Sequence, residues 1–461
     1  MWKYPKNIEP NNVQVGEFKG LSRLPIINQG ELQVSKNLVF DFYPVMSVRR
    51  GRTLVNQVEG KPQSFIAVNG KFAVVAGNKL FYDGVAAAGL SLTDGRKSLV
   101  EFWGKIFIFP DAKYYDIATA TWGNIGTGAY PADGSCPEMD YVVVHNNRLW
   151  GCKGNHVYAS ALGNALGDRN PDFVPTEGNP KPPSDYGWTY FVEGGNPAES
   201  GSWAVDCAID GDLQGICSWD NRIVCLGERN HLEIYGDYPS NFSMRSITKY
   251  GTISHSSILE VNSRLYYVAN NGVLQYSGGV EREVSRNLNE SYNAAVCGTD
   301  GIRYYLALNS GADKRLYVYH SLLDCWTEED SLDIVDFATM AGFVYALCAD
   351  GKIYKFNDPA STEKVAWRFE FDDYSPAIYN NTEVRSLKLK VKSTTNTYVN
   401  VDVAVDGRER ETKKEITFPN NSLQRINIGV GRGSEHRFAV YGQGAIDIFG
   451  YQYTFTDGGD K

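Results

Sequence analysis

The chain has 461 residues, a formal net charge of −9, 29 Tyr against 5 Met, and 46 Gly. That length admits two or three domains and a large core. The acidic balance argues against a protein that grips nucleic-acid phosphates over its whole surface. It does not exclude one lining a channel through which DNA slides, where adhesion would be a handicap.

Residues 1–36 are polar with scattered apolar positions and read as an N-terminal arm or extended segment laid on another surface. The start, Met1-Trp-Lys-Tyr-Pro-Lys, has no apolar signal core, and no apolar run reaches the roughly 20 residues that span a bilayer. A protein made and kept in the cytoplasm, or released by lysis, is the expectation. Residues 37–52 read as a strand, a bend at Pro44 and a basic turn.

From residue 60 one cassette recurs: a polar turn ending in a basic residue, a short apolar run, a second polar turn, and a run ending in Tyr. Copies fall at 68–82, 102–115, 145–158, two within 211–284, 300–319 and 341–356. The basic residues are Lys71, Lys105, Arg148, Arg222, Arg264 and Arg303, at spacings of 34, 43, 74, 42 and 39. Most of these lie near the roughly 40–50 residues of a four-stranded propeller blade. The long spacing holds an inserted loop, about 162–202, rich in Pro, Gly and Asn.

One hairpin cannot bury both of its faces. Packing successive sheets face to face buries them, and closing the ring leaves only short edges. The expected fold is therefore all-β: a β-propeller over 37–360 of about seven blades, with six or eight fitting as well. A long β-sandwich array is the alternative. Tyr115 and Trp122, and again Tyr319 and Trp326, stand seven residues apart. Kelch-type blades carry a similar pair, with the Trp ring packed between blades; the kelch Gly-Gly pair is absent here. After residue 360 the pattern alternates apolar and polar with period two over some seven short runs. This reads as a C-terminal antiparallel β-sandwich over 361–461.

The search for chemistry returns no catalytic, cofactor-binding or metal residues. Asp206, Asp210 and Asp212 lack calcium-loop spacing and the terminal Glu. The six His show no metal-ligand grouping. Gly429-Val-Gly-Arg-Gly433 lies between strands and reads as a hairpin turn rather than a phosphate cradle. No Gly-x-Ser-x-Gly elbow occurs. The eight Cys form no CxxC pair and read as small buried hydrophobes. The recurrent basic residues are expected to pair with neighbouring carboxylates or carbonyls, or else to form a basic rim that meets a partner.

Several pieces together resemble a bacteriophage virion family, the propeller-type tail nozzle and tail hub (stabilisation) proteins of short-tailed double-stranded-DNA phages. They are Asp-Phe-Tyr-Pro at 41–44 with Arg-Arg-Gly at 49–51, Tyr-Ala-Ser-Ala-Leu-Gly at 158–163, and Asp-Gly-Asp-Leu-Gln-Gly-Ile at 210–216. Leu-Glu-Ile-Tyr-Gly-Asp at 232–237, Tyr-Gly-Thr-Ile-Ser-His-Ser-Ser at 250–257 and Asn-Gly-Val-Leu-Gln-Tyr-Ser-Gly-Gly at 271–279 follow in order. Arg-Phe-Ala-Val-Tyr-Gly-Gln-Gly at 437–444 and Ile-Phe-Gly-Tyr-Gln-Tyr at 448–453 complete the set. The resemblance implies a ring homo-oligomer, usually sixfold, around a DNA channel in the virion tail, assembled in the host cytoplasm. Portal, adaptor and fibre proteins would be its neighbours, DNA would pass without sequence-specific binding, and no cofactor is implied. Two other functions are compatible with the chain: a glycan- or receptor-binding propeller of an adsorption apparatus, motivated by Trp188 and Tyr190 in the insert, and a polysaccharide-active propeller enzyme.

Overall fold

The computed structural model describes residues 11–126, 136–166, 188, 201–209, 211–248, 250–310, 313–372, 382–393, 397–418 and 423–457. Among these there is no α-helix, and three 3-10 turns interrupt an otherwise all-β chain. Each recurring hairpin forms the second and third strands of a four-stranded antiparallel meander. Two-residue turns explain the hairpins locally. Asn69-Gly70, Trp103-Gly104, Asn146-Asn147, Asp220-Asn221, Asn262-Ser263 and Ala341-Gly342 all have positive φ at both residues. That backbone twist matches the right-handed twist of paired strands.

Six sheets have four strands each. Five are consecutive in the chain, with inner strands Pro62–Val68, Ser98–Phe102, Tyr141–His145, Leu213–Trp219 and Leu259–Val261. The sixth runs Ile334–Met340, Phe343–Cys348, Lys352–Lys355 and takes its outer strand, Thr53–Gln57, from the start of the chain. Between the fifth and sixth lies a further meander, Ala295–Thr299 through Cys325–Glu329, which opens a nine-stranded sheet. Each neighbouring pair of these meanders shares its own apolar cluster. Val75 meets Ile106 and Ile108 at one such contact, and Phe107 meets Val142 and Leu149 at the next. The circle closes where Phe65 and Val74 meet Leu347 and Ile353. This is a β-propeller arrangement. Most of the expected insert, 162–202, and Asp210 lie outside the described residues.

The expected boundary at residue 37 does not hold in the structure. Leu38–Phe42 and Val45–Val48 pair with each other and, through the latter, with the C-terminal strand Ile446–Asp457. Of the arm expected over 1–36, the described part, 11–36, lies on its own chain. Asn11–Val15 pairs with that same C-terminal strand, and Val34–Lys36 is wedged between Cys325–Glu329 and Ala366–Asp372. The reason is burial: Val15, Phe18, Leu32, Leu38, Phe40 and Met46 share one core with Phe369, Leu389, Val401 and Tyr451. In that core the Phe371 ring stacks on Tyr451 with centroids 3.9 Å apart. The period-two reading of the C-terminal strands follows the burial: Leu387, Leu389 and Val391 are buried while Lys388 and Lys390 face out.

Candidate functional site

The six basic positions all open the second strand of a meander, immediately after its turn. A side chain there lies beside the third strand, and most of them find a partner on it or just beyond it. Lys71 Nζ reaches Asp83 at 2.7 Å and Lys105 Nζ reaches Asp116 at 2.5 Å. Arg222 Nη1 reaches Glu233 at 3.1 Å. With the Gln275 amide oxygen facing it, Arg264 Nη1 donates at 3.0 Å. Arg303 pairs with Asp300 at 2.8 Å and also contacts Asp41. Arg148 is buried and donates from Nη1 to the carbonyls of Ser160, at 2.7 Å, and Gly201. Burial pushes its guanidinium down to about 10. These cations are therefore held within the fold.

The two Tyr–Trp pairs sit at matching places. Tyr115 lies opposite Trp122 and Tyr319 opposite Trp326, third strand against outer strand. Each Trp donates back to the preceding meander just past its outer strand: Trp122 Nε1 to the Ala88 carbonyl at 3.0 Å, Trp326 Nε1 to the Val284 carbonyl at 2.7 Å. Trp188, expected as an exposed stacking ring, is fully buried and donates from Nε1 to the Ala165 carbonyl at 2.8 Å. Its indole packs with Phe107, Phe109 and Met139, which removes it from any ligand surface. Tyr190 lies outside the described residues.

Two titratable clusters escaped the sequence reading. The first lies between the fourth and fifth meanders. His231 Nδ1 is 3.2 Å from Glu281 and its Nε2 is 3.7 Å from Glu233. Tyr276 donates to Glu233 at 2.8 Å, Tyr267 donates to Glu281 at 3.1 Å, and Tyr235 also donates to Glu233. Burial alone would lower the imidazole, but hydrogen bonding to Glu233 and Glu281 overrides it and the pKa is raised. Burial pushes Glu233 the other way, upward, yet its contacts with His231, Tyr276 and Arg222 bring it below its ordinary value. The imidazole is completely enclosed, so the cluster ties two sheets together rather than facing solvent. The clue in the sequence was His231-Leu-Glu233 on one strand; Glu281, fifty residues on, gave none.

The second cluster lines a cavity of about 230 Å³ where several inner strands converge. Arg96 Nη2 lies 2.8 Å from Asp336, whose carboxylate also accepts the Phe65 amide at 2.9 Å. Burial raises the Asp336 carboxyl despite Arg96 beside it. His255 lines the same cavity, and burial together with Arg96 lowers it to about 4. No group of three or more His, Cys, Asp or Glu side chains suited to a metal occurs among the described residues.

No family model matches the chain, and no curated protein matches it. Among solved structures it is similar to the computationally designed Ika8 protein, at 12% identity over 70% of this chain and 94% of that one, with a TM-score of 0.43. It is also similar to an extracellular domain of a one-component system from B. thetaiotaomicron, at 12% identity and TM-score 0.46, over 88% of this chain and 62% of that one. BamB from Moraxella catarrhalis matches at 8% identity over 69% of this chain and 99% of that one, with a TM-score of 0.41.

Proposed function

We propose that this chain is a structural subunit of a bacteriophage tail, a nozzle or hub protein that forms a ring around the DNA path. In this reading the seven meanders are seven blades and the two C-terminal sheets form a β-sandwich. The observation that carries it is the way the two parts are fastened. Strand Val34–Lys36 bonds the propeller's Cys325–Glu329 on one side and Ala366–Asp372 on the other, so one sheet runs from ring to C-terminal core. A part fastened so transmits position without pivoting, as a tube segment needs. The sequence resemblance supplies the rest: partners among portal, adaptor and fibre proteins, and passage of DNA past an acidic subunit. The buried His231, Glu233 and Glu281 group serves a contact between sheets, as a scaffold would use it.

A heterologous contact closing by rotation gives such a ring. Light scattering on the purified chain at increasing concentration, with electron microscopy of particles from infected cells, tests this. A closed ring is expected, located at the tail. A monomer at every concentration, absent from purified particles, would end the proposal.

A further inference from the structure

The outer face of the seven-stranded sheet carries a feature that the scaffold reading does not use. On strand Thr382–Ser393, Lys388 and Lys390 point away from the core, about 7 Å apart as alternate residues of a strand are. Lys388 stands between Asn427 and Gln452 on the two flanking strands, and Gln452 stands beside Gln14. Lys390 stands between Arg425 and Gly450. Position 450 offers no side chain, and a Cβ there would lie 2.3 Å from the Val15 carbonyl oxygen. The result is a cleft of about 530 Å³, floored at Gly450 and lined by two ammonium groups, a guanidinium and three amides. Elsewhere on this acidic chain cations are widely paired, but no carboxylate lies within 4.0 Å of Lys388, Lys390 or Arg425 among the described residues.

We propose that this cleft binds a strand of acidic polysaccharide carrying carboxylates on its sugars. Three clustered cations with no carboxylate in reach among the described residues call for an anion. The cleft's size is that of a ligand groove, too small for a duplex or the face of a folded protein. An acidic peptide would gain most by adding its backbone as a strand to a sheet edge. Here the backbone of Thr382–Ser393 is already paired on both sides, so only side chains are on offer. Single-stranded nucleic acid is recognised by stacking platforms. The aromatic in the cleft, Phe449, already has the Lys390 ammonium 5.2 Å from its ring centre. Amides both donate and accept, which matches sugar hydroxyls. Across the strands, the row from Asn427 to Gln14 covers about 14 Å, the span of a short oligosaccharide.

The test is calorimetric titration of the full chain with an oligogalacturonate, and with a neutral dextran oligosaccharide of equal length. Saturable binding of the acidic glycan alone is expected, weakening as salt is raised. The triple variant K388Q/K390Q/R425Q should weaken it about tenfold or more, whereas K61Q/K79Q/K414Q, removing as much charge from other exposed places, should leave it unchanged. In the unaltered chain the glycan should shield Lys388 and Lys390 from acetylation. The proposal falls if no saturable binding appears at low salt, or if both triple variants weaken it equally. It falls also if shielding maps to other lysines, or if poly-glutamate or single-stranded DNA binds as tightly.

Discussion

Arg148 and Lys71 follow equivalent turns, yet they do different work. Lys71 is solvated and meets Asp83 in the open, where an ion pair contributes little. Arg148 is buried and satisfies two carbonyl oxygens beside its own meander. Replacing it with Leu strands those carbonyls and should cost about 3 kcal/mol, whereas Lys71→Gln should leave the urea midpoint unmoved. The repeat made both positions legible; burial, which separates them, depends on which loops fold over each turn. His231 shows the same limit. Two carboxylates face it, Glu233 on its own strand and Glu281 from the next sheet, with Arg222, Tyr235, Tyr267 and Tyr276 around them. Charged, the imidazole balances the group; neutral, it leaves a buried excess negative charge. Because the folded pKa is raised, its contribution is whole below the ordinary value of about 6.5 and drains as pH climbs through the folded value. Urea unfolding at a series of pH values should show stability falling above neutrality, and His231→Gln should flatten that limb. An unchanged limb in the variant would assign the pH dependence elsewhere.

Among elements, hairpins were readable and their companions were not. A two-residue turn flanked by apolar runs declares itself within a dozen residues. The Tyr–Trp spacing was equally plain, since third and outer strands place those two residues opposite each other. Trp326→Phe keeps one aromatic ring but loses the buried pyrrole part of the indole and its bond to the Val284 carbonyl, and a loss of about 1–3 kcal/mol is expected in equilibrium unfolding. The N-terminal strands gave no such signal. Periodicity reports which face of a strand is buried, never which strand lies alongside, and Asn11 pairs with Phe455 at the far end of the chain. The described part of that arm, 11–36, is for this reason the seam of the molecule. Deleting residues 1–57 removes both the strand that joins propeller to C-terminal sheets and the outer strand of the closing meander. Calorimetry of the full chain should give one transition, and the truncated chain two. A single transition after truncation would mean the remaining contacts suffice to couple the parts.

At the scale of the whole molecule, the question is whether the ring opens one contact at a time. Each contact between meanders has its own apolar cluster, so the interfaces are separate in space. Closure couples them. Parting any one pair turns two buried sheet faces to water, and the sheets on either side then lose the frame that holds them flat together. The cysteines report on this without labels. Cys152, Cys207 and Cys225 lie in one contact, while Cys297, Cys348, Cys136 and Cys217 lie in or against four others. Cys325 belongs to the C-terminal core. All eight are free thiols, and burial pushes every one of them up, so thiolate is scarce at mild pH. Labelling with a thiol-reactive probe in rising urea, read residue by residue by mass spectrometry, should show negligible reaction in buffer. The seven propeller thiols should then become reactive at one common midpoint. Separate midpoints for Cys348, near the closing contact, and for the Cys152–Cys225 contact across the ring would show a circle that unzips from its seam, and closure would then contribute little to holding the other interfaces.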